Sequence, residues 1–281
     1  MVSSFVKSSD MYASLRRLKN RLNRRGLKKC KKLSIEEVRD ILRQEMGLFE
    51  GQAVLVHCGF GFLNADFSPQ ELIGALKEIV GKSGVIMMPF YPPALSADWL
   101  QSGRVFNSET IKCSTGVLAQ CFARDPDVRI SCHPIKAVAV WGDRSEELIK
   151  NHHLSKYPYD EESPYFHLAA IKGSASIGLG VRNCSMVHCA EDAFELNKSY
   201  LYSDKQAIAG VIHNGSTVDV STYFHHGREG LMSSAAYFEK YCSDVVSIFE
   251  TNGVVFYSAD NGKMMFRMKK LLTEKVNRLD C

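Results

Sequence analysis

Apolar residues follow two rhythms along this chain. Ala53-Val54-Leu55-Val56 and Val85-Ile86-Met87-Met88 are continuous apolar runs of strand length, the pattern of strands buried on both faces. Between them, Ser68-Pro69 opens a stretch in which Leu72, Ile73, Leu76, Ile79 and Val80 recur at helical spacing, and Gly81 to Gly84 ends it. Strand, helix, strand in that order is a βαβ unit, which predicts a parallel sheet covered by helices. Upstream, Ser34 and Glu37 form a capping-box signature, and Val38, Ile41 and Leu42 carry an apolar stripe toward Gly47.

Residues 90–113 break both rhythms and predict a long irregular loop, a feature that compact domains usually keep for function. Ser114-Thr115-Gly116 then precedes a predicted helix over 117–123. Strands are predicted at 136–141 and 174–179, and helices from Glu146, from Ser163-Pro164 and over 183–196. Asn214-Gly215 between Val211-Ile212 and Val218 to Val220 predicts a hairpin. A last apolar run, Val254 to Tyr257, leads to a helix expected over 262–278. The expected fold is α/β: a mostly parallel central sheet covered by helices, with a small antiparallel hairpin region in the C-terminal third. Residues 33–281 read as a single α/β domain.

Composition fits such a domain, with 45% hydrophobic and 23% charged residues among 281. It excludes collagen, a mainly disordered chain and a disulfide miniprotein. The net charge of +4 conceals an uneven distribution. Residues 1–32 hold 11 Lys and Arg against one acid, Asp10, whereas the rest carries 24 basic and 30 acidic groups. The first 32 residues are a basic arm. Leu15, Leu18 and Leu22 recur in it at helical spacing, which offers a peripheral contact with an anionic membrane surface. No nucleic-acid-binding module accompanies it, and no nucleic-acid partner is expected. Nine cysteines without a C-x-x-C pair, and no visible export signal, point to free thiols and a cytoplasmic setting. No zinc-finger or H-E-x-x-H spacing is present, so no metal is expected.

One segment carries candidate chemistry. A strand ending at Gly178-Leu179-Gly180 is followed by a helix bearing His188 and Glu191. Spacing of i, i+3 puts both on one helix face, just beyond the carboxyl end of a strand, where open α/β sheets bind ligands. A carboxylate beside an imidazole fixes its tautomer and makes it a better base. A surface His–Glu pair has the same spacing. Cys189 beside His188, and Cys58 beside His57, do not make a thiol nucleophile and its base, because neighbouring side chains diverge. Adjacent histidines, His152-His153 and His225-His226, are poor metal pairs for the same reason.

Six segments in order resemble the aminoglycoside 3-N-acetyltransferase family. They are Val54-Leu55-Val56-His57-Cys58, residues 81–89, Ser114-Thr115-Gly116-Val117-Leu118, Ser131-Cys132-His133-Pro134, Pro158-Tyr159 with Ser163-Pro164, and residues 183–191. The resemblance implies transfer of acetyl from acetyl-CoA, the co-substrate, to an amine. It implies His188 as general base, oriented by Glu191, with the thioester carbonyl near backbone N–H groups. His57, Cys58, Gly59, Ser114, Thr115 and Gly116 would line the acetyl-CoA channel, with Arg124 or Lys136 as counter-charge. Asp160, Glu161 and Asp192 would meet a small-molecule amino-sugar acceptor. That acceptor is an aminoglycoside or an amino-sugar nucleotide of surface-polysaccharide biosynthesis. Four departures bear on it. Cys58 replaces a small hydroxyl residue, Lys136 a second histidine and Asp160 a glycine, and the part after Glu191 is shortened and lacks an acidic stretch. The alternative is a non-catalytic family member that binds a partner or a membrane.

Overall fold

The computed structural model describes residues 26–27, 29–225 and 231–279. Most of the basic arm, and His226, lie outside them, so the expectation of a membrane-facing helix there falls on residues not described. Strands β1 (Ala53–Cys58), β2 (Val85–Pro89), β3 (Phe106–Asn107), β4 (Arg129–Ile130), β5 (Val138–Trp141), β6 (Ala175–Leu179), β7 (Ala207–His213), β8 (Ser216–Thr222), β9 (Val246–Thr251) and β10 (Val254–Asp260) form two sheets. The larger runs β4-β5-β2-β1-β6-β10-β9 and the smaller β3-β7-β8. The heart of the large sheet is parallel, β2 and β6 both pairing with β1 in that sense. Its two margins are antiparallel, through β5 and β4 on one side and β10 and β9 on the other. The expected hairpin is β7–β8. Its turn residues Asn214 and Gly215 both have positive φ, which matches the right-handed twist of the strands.

Alternation along each central strand supplies two cores. Val54, Val56, Ile86 and Met88 face one side, with α1 (Ile35–Asp40), α2 (Pro69–Val80), α3 (Ser96–Gln101) and α4 (Val117–Phe122) packed over them. Ala53, Leu55, Val85 and Met87 face the other, under α5 (Ser145–Ile149), α6 (Pro164–Ala169), α7 (Met186–Phe194), α8 (Ser234–Tyr241) and α9 (Asn261–Thr273). Burying each such aliphatic side chain stabilises the fold by roughly 1.5–3 kcal/mol. The expected capping box at Ser34–Glu37 is formed, and Ser68–Glu71 makes a second.

Some expectations shift. The first helix widens into a π turn over Ile41–Glu45, where Met46 N–H bonds to Ile41 O. The segment 90–113 is not all irregular; it holds α3 and β3, whose Trp99, Leu100 and Phe106 are core residues. The last helix ends at Thr273 rather than 278, and Lys275 takes φ 62°, turning the chain back toward α7. Among the described residues no helix is long and apolar enough to cross a membrane.

Candidate active site

Strands β1, β2 and β6 end together, and a cavity of about 780 Å³ opens beyond their carboxyl ends. This is where a parallel sheet leaves unpaired backbone and room for a ligand. The cavity brings together His57, Cys58, Gly59, Ser114, Thr115, Gly116 and His188. Gly59 passes so close to the β6 exit that a Cβ there would stand 2.7 Å from Val181 Cγ1. Gly116 has φ +118°, a conformation open to glycine, and sets the 114–116 turn against the Cys58 carbonyl. Ser114 N–H donates to Tyr91 O at 2.9 Å, and the Thr115 hydroxyl donates to Pro89 O. Backbone and small side chains thus make a narrow cradle suited to a slender, mostly uncharged arm such as pantetheine.

His188 stands on the cavity wall, its side chain 22% exposed. Its Nδ1 lies 3.0 Å from Glu191 Oε2, the contact that i, i+3 spacing allows. Nδ1 therefore carries the proton and donates it to the carboxylate, which leaves Nε2 able to accept one. Glu191 is 1% exposed and held from behind by Arg278. Arg278 Nε donates to Oε1 at 2.6 Å and Nη2 to Oε2 at 3.1 Å, while Nη1 donates to Met232 O. Burial alone would raise the Glu191 carboxyl; the bond from His188 and the charge of Arg278 outweigh it and hold the group below its ordinary range. Burial pushes the His188 imidazole down, Glu191 partly opposing, so the ring is neutral at neutral pH.

His57 is not a second base. Burial lowers its imidazole to about 3. Tyr257 OH donates to Asn183 O at 2.6 Å, so its oxygen accepts from His57 Nδ1 at 3.1 Å. Nε2 then accepts the Ser185 N–H at 3.1 Å, with Ser185 Oγ 2.9 Å away. His57 ties the end of β1 to the residue before α7 and so aims the helix that carries His188. The Cys58 thiol is raised by burial, and Cys189 is fully buried with its thiol raised for the same reason; neither offers a thiolate.

The three acidic residues expected to meet the acceptor lie outside the cavity lining. Asp192 is buried and accepts Tyr202 OH at 2.6 Å and Tyr159 N–H at 2.9 Å. It thereby fixes Tyr159, whose ring stacks on His188 with centroids 5.4 Å apart. Asp160 accepts the N–H groups of Tyr157 and Glu162. Glu161 is exposed. Arg124 also lies away from the lining, whereas Lys136 is on it.

Sequence reasoning missed Arg278, because 87 residues separate it from Glu191 and no local pattern links them. It weighed His225 only as a poor metal pair with His226, whereas its ring lies 5.1 Å from that of His188. Among the described residues, His188, Glu191 and His225 hold the one trio of metal-competent atoms close together. The guanidinium fork of Arg278 already occupies both Glu191 oxygens, and a second cation there would be repelled.

Fold and site define an α/β protein with a ligand-sized cavity at the ends of its parallel strands and a His–Glu–Arg cluster on its wall. The chain matches the aminoglycoside 3-N-acetyltransferase family over residues 55–264 and belongs to it. It is therefore an acetyl-CoA-dependent acyltransferase. Among solved structures, aminoglycoside acetyltransferase AAC(3)-Xa is 18% identical, with a TM-score of 0.74 over 93% of this chain and 99% of its own. AAC-IIIb, solved as a binary complex with CoASH, is 17% identical, with a TM-score of 0.71 over 88% and 98%. YokD protein from Bacillus subtilis is 19% identical, with a TM-score of 0.66 over 85% and 93%. At such identities these neighbours share the fold.

Proposed function

We propose that the protein N-acetylates an amine of an amino sugar, with His188 as base. The observation that carries this is the imidazole on the cavity wall with its Nδ1 committed to a buried, arginine-held carboxylate. An ammonium has no lone pair to offer a thioester, so the acceptor nitrogen must first lose a proton. His188 Nε2 takes it, Glu191 stabilises the imidazolium that forms, the nitrogen bonds the acetyl carbon as its C–S bond breaks, and the departing thiolate takes the proton back to leave as CoASH. The cradle of Gly59, Ser114, Thr115 and Gly116 would hold the pantetheine arm of acetyl-CoA, and the cavity is large enough for it. A positioned base contributes typically ~10²–10⁴-fold. Thiol release from acetyl-CoA should depend on an amine acceptor, surveyed over aminoglycosides and amino-sugar nucleotides. His188→Ala should lose about 10²–10⁴-fold in kcat and still bind CoA. Turnover of that variant at the wild-type rate would remove the base from the mechanism.

A non-catalytic role would suit a filled cavity or a displaced imidazole, and the open cavity beside His188 counts against it. The basic arm is proposed to touch anionic membrane surfaces peripherally; sedimentation with anionic vesicles, and its loss without residues 1–25, tests this. A cytoplasmic setting suits the free cysteines and the need for acetyl-CoA.

A further inference from the structure

The cavity lining has a charge that the family name does not suggest. Among the described residues, Lys136 is its one Lys or Arg, and no Asp or Glu lines it. The Lys136 ammonium has no hydrogen-bond or ion-pair partner among the described residues. Its one close companion is the Tyr91 ring, with Nζ 4.4 Å from the centroid. Burial pushes the group down to about 8, the sign of a cation lacking a counter-charge.

The turn that aims Lys136 is stiff. Its N–H donates to His133 Nδ1 at 3.1 Å, and the His133 ring stacks on His152. Lys136 also stands at the reacting end of the cavity. Tyr91 OH bonds to Tyr159 OH at 3.0 Å, Tyr159 stacks on His188, and the Lys136 charge is felt at that imidazole. The pantetheine arm of acetyl-CoA carries no charge and keeps its phosphates far from the thioester. An anion meeting Lys136 beside His188 therefore belongs to the acceptor.

We infer that Lys136 is a specificity residue that binds an anionic group, carboxylate or phosphate, carried by the acceptor close to the amine to be acetylated. This rests on the transferase reading above and narrows its substrate class to acidic or phosphorylated amino sugars. A polycationic aminoglycoside would set ammonium against ammonium, with no carboxylate among the described lining residues to offset it.

The test compares wild type, Lys136→Gln and Lys136→Arg. Acceptors are glucosamine, glucosamine 6-phosphate, a hexosaminuronic acid, a UDP-linked amino sugar and sisomicin. Thermal melts and CoA binding establish that each variant is folded. Breaking a desolvated charge pair costs enough to change affinity about 30-fold or more. Wild type should favour at least one anionic acceptor over glucosamine by about that factor. Lys136→Gln should erase the preference chiefly through KM, Lys136→Arg should retain part of it, and sisomicin should improve in Lys136→Gln. Repeating the assay with acetyl-pantetheine, which has no phosphate, separates the two sources of anion. A Lys136→Gln defect that vanishes with this donor assigns the lysine to CoA and overturns the proposal. Acetylation of glucosamine and sisomicin without preference for an anion also overturns it and leaves the transferase reading standing. Acetylation of no amine at all overturns both.

Discussion

The His152 imidazole is fully buried, donates from Nε2 to Pro158 O at 3.2 Å and accepts the Ser131 hydroxyl at Nδ1, 2.8 Å away. Ser131 Oγ in turn accepts Val138 N–H. A second proton on the ring would have to turn the Ser131 hydroxyl hydrogen away from Nδ1, and burial lowers the group to about 3. The unfolded chain binds a proton near pH 6.5 that the folded chain refuses, so this imidazole's contribution is complete above 6.5 and declines as pH falls from there toward 3. Between pH 7.5 and 5.5 the loss for one such imidazole is about 1.4 kcal/mol. Asp160 and Asp192, whose carboxyls burial raises, act in the opposite sense and blur the total. A comparison with His152→Gln cancels them, since glutamine also offers one acceptor and one donor but does not titrate. Urea unfolding of both proteins at the two pH values should show wild type losing about 1.4 kcal/mol more than the variant over this interval. Parallel losses would mean that His152 gains its proton inside the folded protein, and the hydrogen bonds assigned to it would be wrong.

Arg278→Met leaves a buried carboxylate without its guanidinium. The expected cost is about 3–5 kcal/mol, read by denaturant unfolding, with kcat falling as Glu191 takes up a proton and releases His188. Gly178→Ala places a Cβ 2.0 Å from Tyr257 Cε1, so the ring that bonds His57 and Asn183 must move. A loss of about 1–3 kcal/mol in stability and a drop in kcat are expected; a crystal structure with Tyr257 unmoved would contradict this. Corrected for the acceptor's own ionisation, kcat/KM should rise with pH to a plateau governed by a group below 6.5, because His188 acts in its neutral form and burial lowers it. A limb above 6.5 would assign the base elsewhere.

The β1–α2–β2 unit was legible because each piece was written locally: continuous apolar strands, a proline-led capped helix, a glycine stop. The Asn214-Gly215 hairpin was legible for the same reason. β9 was not, because an edge strand half in water shows only intermediate and exposed positions instead of a run. The sense of the marginal strands depends on where connections cross, which periodicity does not encode. His188 and Glu191 could be paired from spacing alone, but a carboxylate does not announce its direction. Asp192 looks like an acceptor contact in sequence and instead pins Tyr159. Arg278 reached Glu191 only because Lys275 turned left-handed after α9, a backbone choice that is rare for lysine and unmarked in its neighbours.

The two ends of the cavity are made of different material. One is the meeting of three strand termini, bolted by His57 and Tyr257, where a change disturbs the whole sheet. The other is a turn bearing Lys136 and the buried segment around Tyr159, held by side chains such as His133 and Asp192 instead of by a strand ladder. On the proposed reading, a change of acceptor asks for new side chains at this second end alone, while the strand termini go on holding the acyl donor.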